Sequence, residues 1–168
     1  MPINLPELSV QFADLRAHPE YLPQLAAWHH QEWLALNPGQ TLAQRIQAMQ
    51  AYLGSSFVPT TYIATADGLL GSAAIISHDM DNKPEISPWL ASVFVAPEYR
   101  NQGIGSRLVK HVMKQAAEAG LSSLYLFTPD RVSFYQRLGW QVLASESYRD
   151  HDVTVMVFRF ADDLSLDV

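Results

Sequence analysis

The run Val95-Ala96-Pro97-Glu98-Tyr99-Arg100-Asn101-Gln102-Gly103-Ile104-Gly105-Ser106 joins a β-forming stretch, Trp89–Val95, to a helical one, Gly103–Ala119. In the second stretch Leu108, Val109, Val112, Met113, Ala116 and Ala117 recur at helical spacing, the stripe of an amphipathic helix lying on a sheet. Strand, glycine turn and helix start in that order make an anion site. Backbone N–H groups at the helix start face outward, the dipole adds about half a positive charge, and glycine lets a phosphate approach without a Cβ in the way. A diphosphate is the natural guest. From Tyr99 to Ala117 the chain also carries Arg100, Arg107, Lys110 and Lys114 and no acidic residue, although the whole chain has 17 acidic side chains against 11 basic. This segregation of charge favours the phosphate reading over the plainer one, in which Gly103 and Gly105 only permit tight helix–strand packing.

The remainder of the 168 residues reads as a single domain, residues 1–168 with a core from about 9 to 160, since no repeat, low-complexity tract or linker interrupts it. A chain of this size buries roughly two-thirds of the surface it exposes when unfolded, so it needs neither disulfides nor a structural metal. The absence of cysteine excludes disulfide frameworks and cysteine-ligated zinc, and no metal site is expected. A formal charge of −6 argues against a general nucleic-acid or anionic-membrane binder. Met1-Pro2-Ile3-Asn4-Leu5-Pro6-Glu7 lacks the basic start and apolar core of a signal peptide, and no apolar run approaches the ~18 residues of a membrane span. The expectation is a cytoplasmic enzyme or sensor.

Periodicity predicts a strand over Ser9–Leu15 and a helix opened by Pro19 and reaching about Leu36, where Asn37-Pro38-Gly39 stops it. Thr41 and Gln44 form a capping box for a second helix, about Leu42 to Leu53. Strands at about Thr61–Ala66 and Gly71–His78 are joined through the turn pair Asp67-Gly68. After the polar loop Asp79–Ser87 comes the strand Trp89–Val95. Beyond the long helix, Leu124–Phe127 is a short buried strand. Thr128-Pro129 then supplies an N-cap and a first helical proline for a helix to about Leu138, closed by Gly139. Trp140–Ser147 and Val153–Phe160 are the last strands. The second is apolar on both faces and therefore belongs inside a sheet.

On these residues the sequence resembles the GCN5-related N-acetyltransferase (GNAT) superfamily. Its phosphate signature, Arg/Gln-x-x-Gly-x-Gly/Ala, is matched by Arg100, Gly103 and Gly105. A second hallmark, aromatic-Tyr-x-x-x-Gly-aromatic, is matched by Phe134-Tyr135-Gln136-Arg137-Leu138-Gly139-Trp140. The element order agrees from about Ser9 to Phe160. The resemblance implies an α/β fold: a mixed, mostly antiparallel sheet, splayed between its fourth and fifth strands to hold the pantetheine arm of an acyl-coenzyme A and flanked by about four helices. It implies acetyl transfer from acetyl-CoA directly to an amine. The cofactor-binding residues it points to are Phe94, Val95, Arg100, Asn101, Gln102, Gly103, Ile104, Gly105 and Ser106, with a backbone N–H near Phe94 or Val95 as the oxyanion donor.

Such a reaction requires stabilisation of an oxyanion and proton handling at the amine and the departing thiolate. Tyr135 is the family-matched acid. A thiol titrates near 8.5 and a phenol near 10, so a tyrosine holds its proton at neutral pH until the thiolate forms. The plainer reading of Tyr135 is a helix aromatic packed on the sheet. For the base, a lysine-type amine costs about 4.6 kcal/mol to deprotonate at pH 7, an α-amine only about 1. Glu32 is the carboxylate candidate, because Tyr21, Leu22, Leu25, Ala26, Trp28, His29, Glu32, Trp33 and Leu36 form one stripe of the first helix, and in the family that helix borders the acceptor pocket. A helix rotated to put Glu32 at the rim is the alternative. His29 and His30 read first as packed core residues, His151 and Asp152 as a solvated turn, and Asp79, Asp81 and Glu85 as a wet loop before they read as an acidic rim.

The acceptor is then a small-molecule or peptide primary amine. With Arg100, Arg107, Lys110 and Lys114 set aside, the remaining chain has 7 basic and 17 acidic side chains, which favours a cation. Homodimerisation stays open. Two other classes compete with this reading: a non-catalytic acyl-CoA or amine sensor on the same fold, and a dinucleotide-binding module. The latter would need the glycine turn early in a βαβ unit and an acidic ribose partner at a strand end about 20 residues on, whereas Glu118 lies within the helix.

Overall fold

A computed structural model describes residues 9–161. Strand β1 (Gln11–Asp14) stops short of Leu15 because Asp14 caps a 3-10 turn, Leu15–Ala17, its carboxylate accepting the Arg16 N–H at 2.9 Å. Pro19 opens another 3-10 turn rather than the helix itself, and helix α1 (Leu22–Glu32) is correspondingly shorter than its apolar pattern suggests. The pattern continues past Trp33 as the separate 3-10 turn Leu34–Leu36. Helix α2 (Leu42–Met49) has the expected capping box: Gln44 N–H donates to Thr41 Oγ1 (3.1 Å) and Thr41 N–H to Gln44 Oε1 (2.8 Å). Its last turn, Gln50–Leu53, tightens to 3-10.

Strands β2 (Thr60–Ala66) and β3 (Gly68–Ile76) form a hairpin, followed by β4 (Trp89–Val95), whose bounds equal the predicted ones. Helix α3 (Ile104–Glu118) and strand β5 (Ser123–Thr128) come next, then α4 (Val132–Arg137), β6 (Gln141–Tyr148) and β7 (His151–Arg159). The α4 start corrects the capping expectation. Thr128 Oγ1 accepts the N–H groups of Arg131 (3.0 Å) and Asp130 (3.4 Å), but this makes a turn after β5, and the helix begins only at Val132.

The seven strands run in the order β1-β2-β3-β4-β5-β7-β6, antiparallel except for β4 and β5. Strand β7 sits between β5 and β6, as its two apolar faces require: Val153, Val155, Met156 and Val157 are all buried. Alternation along β2 and β3 feeds two cores. Tyr62, Leu70 and Ile75 meet Leu108, Val109 and Val112 of α3 and Tyr135 of α4, while Ile63 and Leu69 meet Leu22, Leu25 and Ala26 of α1 and Met49 of α2. Burying each such aliphatic side chain contributes about 1.5–3 kcal/mol. Two layers of helices therefore clamp the sheet. Between β4 and β5 the clamp leaves a splay: only Trp89 pairs with Tyr125, whose N–H reaches Pro88 O at 3.1 Å, and the strands diverge beyond that point.

Candidate functional site

The splay exposes one edge of β4. Ala96 N–H donates to Leu70 O on β3 (2.9 Å), so the two-residue alternation of a strand turns the N–H and C=O of Val95 toward β5, which offers no pairing there. The carbonyl is taken by Arg100, whose Nε donates to Val95 O at 2.7 Å. Phe94 faces the other helix layer. Its ring lies 5.7 Å from that of Trp28 and 6.1 Å from that of Trp33, and the Arg100 guanidinium stands 5.4 Å from its centre.

Further down the strand, Ser72 faces Phe94 and Ala74 faces Ala91, so β4 places both Ser92 and Val93 opposite Ala73. This is a β-bulge, with Ser92 at φ 54° in the left-handed region. The Ser92 carbonyl accepts the hydroxyl of buried Ser72 (2.8 Å), Ser72 Oγ is 2.8 Å from His29 Nε2, and His29 Nδ1 is 2.8 Å from Arg45 Nη2. Burial, and then the charge of Arg45, hold the His29 ring well below the usual histidine range. His29 is thus the packed, satisfied histidine that its place on α1 suggested. Its partners carried no sequence signal, because Ser72 lies in an apolar strand and Arg45 on a largely exposed helix; the requirement that a buried hydroxyl find a partner was the only available hint.

At the end of β4 the chain makes a 3-10 turn, Pro97–Tyr99, and passes through two left-handed residues, Asn101 (φ 64°) and Gly103 (φ 80°), before α3. The first bond of the α3 ladder is Arg107 N–H to Gly103 O (3.1 Å), so the N–H groups of Ile104, Gly105 and Ser106 precede the ladder. A Cβ on Gly103 would meet nothing within 4 Å. One on Gly105 would lie 3.7 Å from Val95 Cγ2 and 3.9 Å from Phe134 Cζ, so the end of β4, the first turn of α3 and α4 converge here. The basic island divides: Arg100 is engaged as above and Arg107 lies 5.0 Å from the Phe12 ring centre, while Lys110 and Lys114 are exposed. Asn101 is exposed, Gln102 and Ser106 are half-buried, and the Ile104 side chain is buried in the α3 core.

Tyr135 is buried between Phe134 and Trp140, with ring centroids 5.0 and 6.0 Å away in edge-on geometry. Burial pushes its phenol above the usual tyrosine range; nearby Arg131 opposes this and Asp130 adds to it. Glu32, the last residue of α1, is exposed, and the buried face of the helix is Leu22, Leu25, Ala26 and His29. His30 is half-buried; His151 and Asp152 are exposed. The loop before β4 is less uniformly wet than its composition suggests. Asp81 and Glu85 are exposed, but Asp79 is partly buried and its carboxyl is pushed up to about 7 by burial, against the opposing charges of Arg45 and Arg149.

Arg149, at the β6–β7 turn, ties three loops together. Its guanidinium donates to Leu36 O (2.9 Å), Asn37 Oδ1 (3.2 Å) and Asp81 Oδ2 (3.0 Å). Beside it an open cavity of about 460 Å³ is lined by Ala35, Leu36, Asn37, Pro38, Gln40, Arg149 and Asp150. Among the described residues no group of three or more His, Cys, Asp or Glu is arranged to hold a metal, and no helix is long and apolar enough to cross a membrane.

Comparison with known proteins agrees with this architecture. Residues 59–142 match the family model of the acetyltransferase (GNAT) domain. A 59-residue stretch is 41% identical to thialysine N-epsilon-acetyltransferase of Bos taurus, covering 33% of this chain and 35% of that enzyme; the chain thus spans about a third of that relative's length. Among solved structures, a GNAT-family acetyltransferase of Streptococcus pneumoniae superposes with a TM-score of 0.66 at 20% identity, over 90% of this chain and 99% of that one. An aminoglycoside 6'-N-acetyltransferase complexed with coenzyme A superposes with a TM-score of 0.66 at 19% identity, over 89% and 96%. The family model covers half the chain and takes in β2 to the start of β6, the splay and the glycine turn included, and the chain belongs to the GNAT acetyltransferase family.

Proposed function

We propose that this protein is an acetyl-CoA-dependent N-acetyltransferase that passes the acetyl group directly to a primary amine. The observation that carries the reading is the unpaired edge of β4 at Val95, with the open glycine turn and Phe134, the α4 neighbour of Tyr135, converging beside it. The residues fit the coenzyme: the N–H groups of Ile104, Gly105 and Ser106, with Gln102 and the vacant side of Gly103, suit a diphosphate, and the splay suits an extended, unbranched arm. Acetyl-CoA, when bound, supplies an activated thioester carbonyl.

The chain's own groups then have three tasks. The Val95 N–H donates to the carbonyl oxygen as negative charge grows on it, a preorganised donor on a rigid strand. The Tyr135 hydroxyl, kept protonated by its burial, gives its proton to the departing sulfur as the C–S bond breaks and the C–N bond forms. A cationic acceptor amine gives up two protons, one before it attacks and one once the C–N bond has formed, to water or by way of Glu32 at the end of α1; the balance is one proton returned to Tyr135 and one released to solvent.

The acceptor in this reading is a cationic primary amine. Its support is the acidic surplus outside the coenzyme site and the 41% identity to an enzyme named for acetylating thialysine at Nε. Thiol release from acetyl-CoA with a panel of cationic, neutral and anionic amines tests it. Cationic amines should be preferred, and Glu32→Gln should raise their KM and weaken its dependence on ionic strength, with CoA affinity unchanged. If neutral or anionic amines turn over faster, the charge assignment is wrong. A protein that binds acetyl-CoA but acetylates nothing would be the sensor.

A further inference from the structure

We infer that Arg45, His29 and Ser72 are positioning residues, a buried hydrogen-bond relay from α2 through α1 and β3 that holds the Ser92 bulge and so keeps the Val95 N–H aimed into the β4–β5 splay. The inference rests on the acetyltransferase reading for its functional consequence, but the relay itself does not.

The chemistry of the three side chains permits one arrangement of hydrogens. A guanidinium has donors only, so His29 Nδ1, 2.8 Å from Arg45 Nη2, must accept. The neutral ring therefore carries its hydrogen on Nε2 and donates it to Ser72 Oγ, 2.8 Å away. The Ser72 hydrogen is left for the Ser92 carbonyl, 2.8 Å away, which can only accept. All donors point from α2 toward β4. Because the last atom is a backbone carbonyl, the relay has no terminus that could take up a proton; it can hold geometry and nothing else.

What it holds is a conformation that serine does not choose by itself. Ser92 is at φ 54°, and the bulge at this point sets which edge the following N–H groups face. A strand alternates strictly, so loss of the extra residue would slip one side of the bulge by one position and turn each affected N–H to the other edge. Ser72 and Phe94 are register partners, so the relay grips β4 two residues before Phe94 and three before Val95. His29 also touches this region through its ring, 5.0 Å from Trp33 and 6.3 Å from Phe94. Around Arg45 stand Tyr52 and Asp79, which complete the polar surroundings of the relay's outer end.

The test uses the full chain, labelled with ¹⁵N on valine and alanine, and three variants. Ser72→Ala cuts the last link with almost no change of volume, His29→Leu cuts the middle one, and His29→Gln keeps an acceptor for Arg45 and a donor for Ser72. In the free protein, Ser72→Ala and His29→Leu should shift the Val93 and Val95 amide resonances and speed the exchange of the Ala96 amide at least tenfold, while His29→Gln restores the parent values. Unchanged Val93 and Val95 resonances in folded Ser72→Ala would overturn the relay, whatever the protein's activity.

With ligand, the Val95 amide should shift more with acetyl-CoA than with CoA in the parent and in His29→Gln. That difference should collapse in Ser72→Ala and His29→Leu, with CoA affinity within threefold of the parent. A difference retained in Ser72→Ala overturns the positioning role and leaves the acetyltransferase reading standing. Failure of the parent to bind either ligand overturns that reading and the positioning role together, and the free-protein spectra still decide the relay.

Discussion

Arg100 turns its Nε back onto the carbonyl oxygen of Val95, 2.7 Å away, and so occupies one half of the peptide edge that faces the splay. The N–H of the same residue is left pointing into the gap. A basic residue of the glycine-turn signature therefore acts on the strand before the turn, and its guanidinium is also stacked at 5.4 Å over Phe94. Lysine cannot reproduce a planar group that both stacks and donates from Nε. Arg100→Ala and Arg100→Lys should accordingly lower kcat/KM for acetyl-CoA by similar factors, on the order of tenfold for one charge-assisted hydrogen bond. Steady-state kinetics of the two variants decide this, and full rescue by lysine would reduce Arg100 to a point charge.

Gly103 should be intolerant for two separable reasons. Its φ of 80° burdens a branched residue by about 1–2 kcal/mol, and the space where a Cβ would stand is clear of protein for 4 Å, the space assigned to the diphosphate. Gly103→Val should fold with a lowered melting temperature and lose acetyl-CoA binding. Gly103→Asn, which accepts the left-handed conformation, should keep most of the stability and still bind acetyl-CoA poorly. Calorimetric affinity equal to the parent's in either folded variant removes Gly103 from the diphosphate site.

Tyr135→Phe should retain CoA affinity and lower kcat by roughly 10- to 10⁴-fold, the range for loss of a general acid. Because burial lifts the phenol above its ordinary range, the parent's kcat should show no loss assignable to this group as pH rises through 9. Turnover of Tyr135→Phe within twofold of the parent would make the residue one more ring in the Phe134–Trp140 cluster.

The pH dependence of stability should combine two opposed contributions from neighbours of Arg45. His29 stays neutral in the folded chain well below 6.5, so the unfolded chain binds more protons there. Its contribution is complete above about pH 6.5 and shrinks as pH falls. Asp79, with a carboxyl pushed from 3.8 to about 7, does the reverse: the folded chain holds the extra proton between those values, and acidification stabilises it. Each slope is at most about 1.4 kcal/mol per pH unit. Melting temperatures recorded from pH 4.5 to 7.5 should fall less steeply on acidification in His29→Gln than in the parent, and more steeply in Asp79→Asn. Parallel curves for all three proteins would mean that neither group changes its proton affinity on folding.

Local chemistry was legible where a segment's own residues decide its conformation. The β-formers of Trp89–Val95 marked β4 to the residue, Thr41 and Gln44 marked the start of α2, and the two apolar faces of Val153–Phe160 put β7 inside the sheet. The turn residues at Gly103 and Gly105 and the aromatic run ending at Trp140 led to the two sides of the splay. What escaped depends on partners far along the chain. Nothing near Ser92 announces a bulge, since it is held by a hydroxyl from β3 and ultimately by α1 and α2. The apolar pattern of the first helix ran on to Leu36 because the 3-10 turn after Trp33 keeps similar spacing, and that break leaves Glu32 exposed at a helix end. Thr128 suggests a helix cap where there is a turn, because a hydroxyl that binds N–H groups two and three residues on serves either.

The place of β7 between β5 and β6 has a consequence for how the molecule is made. A polypeptide emerges from the ribosome N-terminus first, so β5, one wall of the splay, and the β6 edge both exist before the strand that pairs with each of them. Until His151–Arg159 arrives, β5 has only the single bridge at Tyr125 to the rest of the sheet. The N-terminal half, β1 to β4, can form early because each of its strands pairs within it and all of them precede β5 in the chain. The nascent chain can therefore carry a finished glycine turn and the Ser92 bulge while the opposite wall is still unsupported, and the groove is completed last, when β7 is inserted.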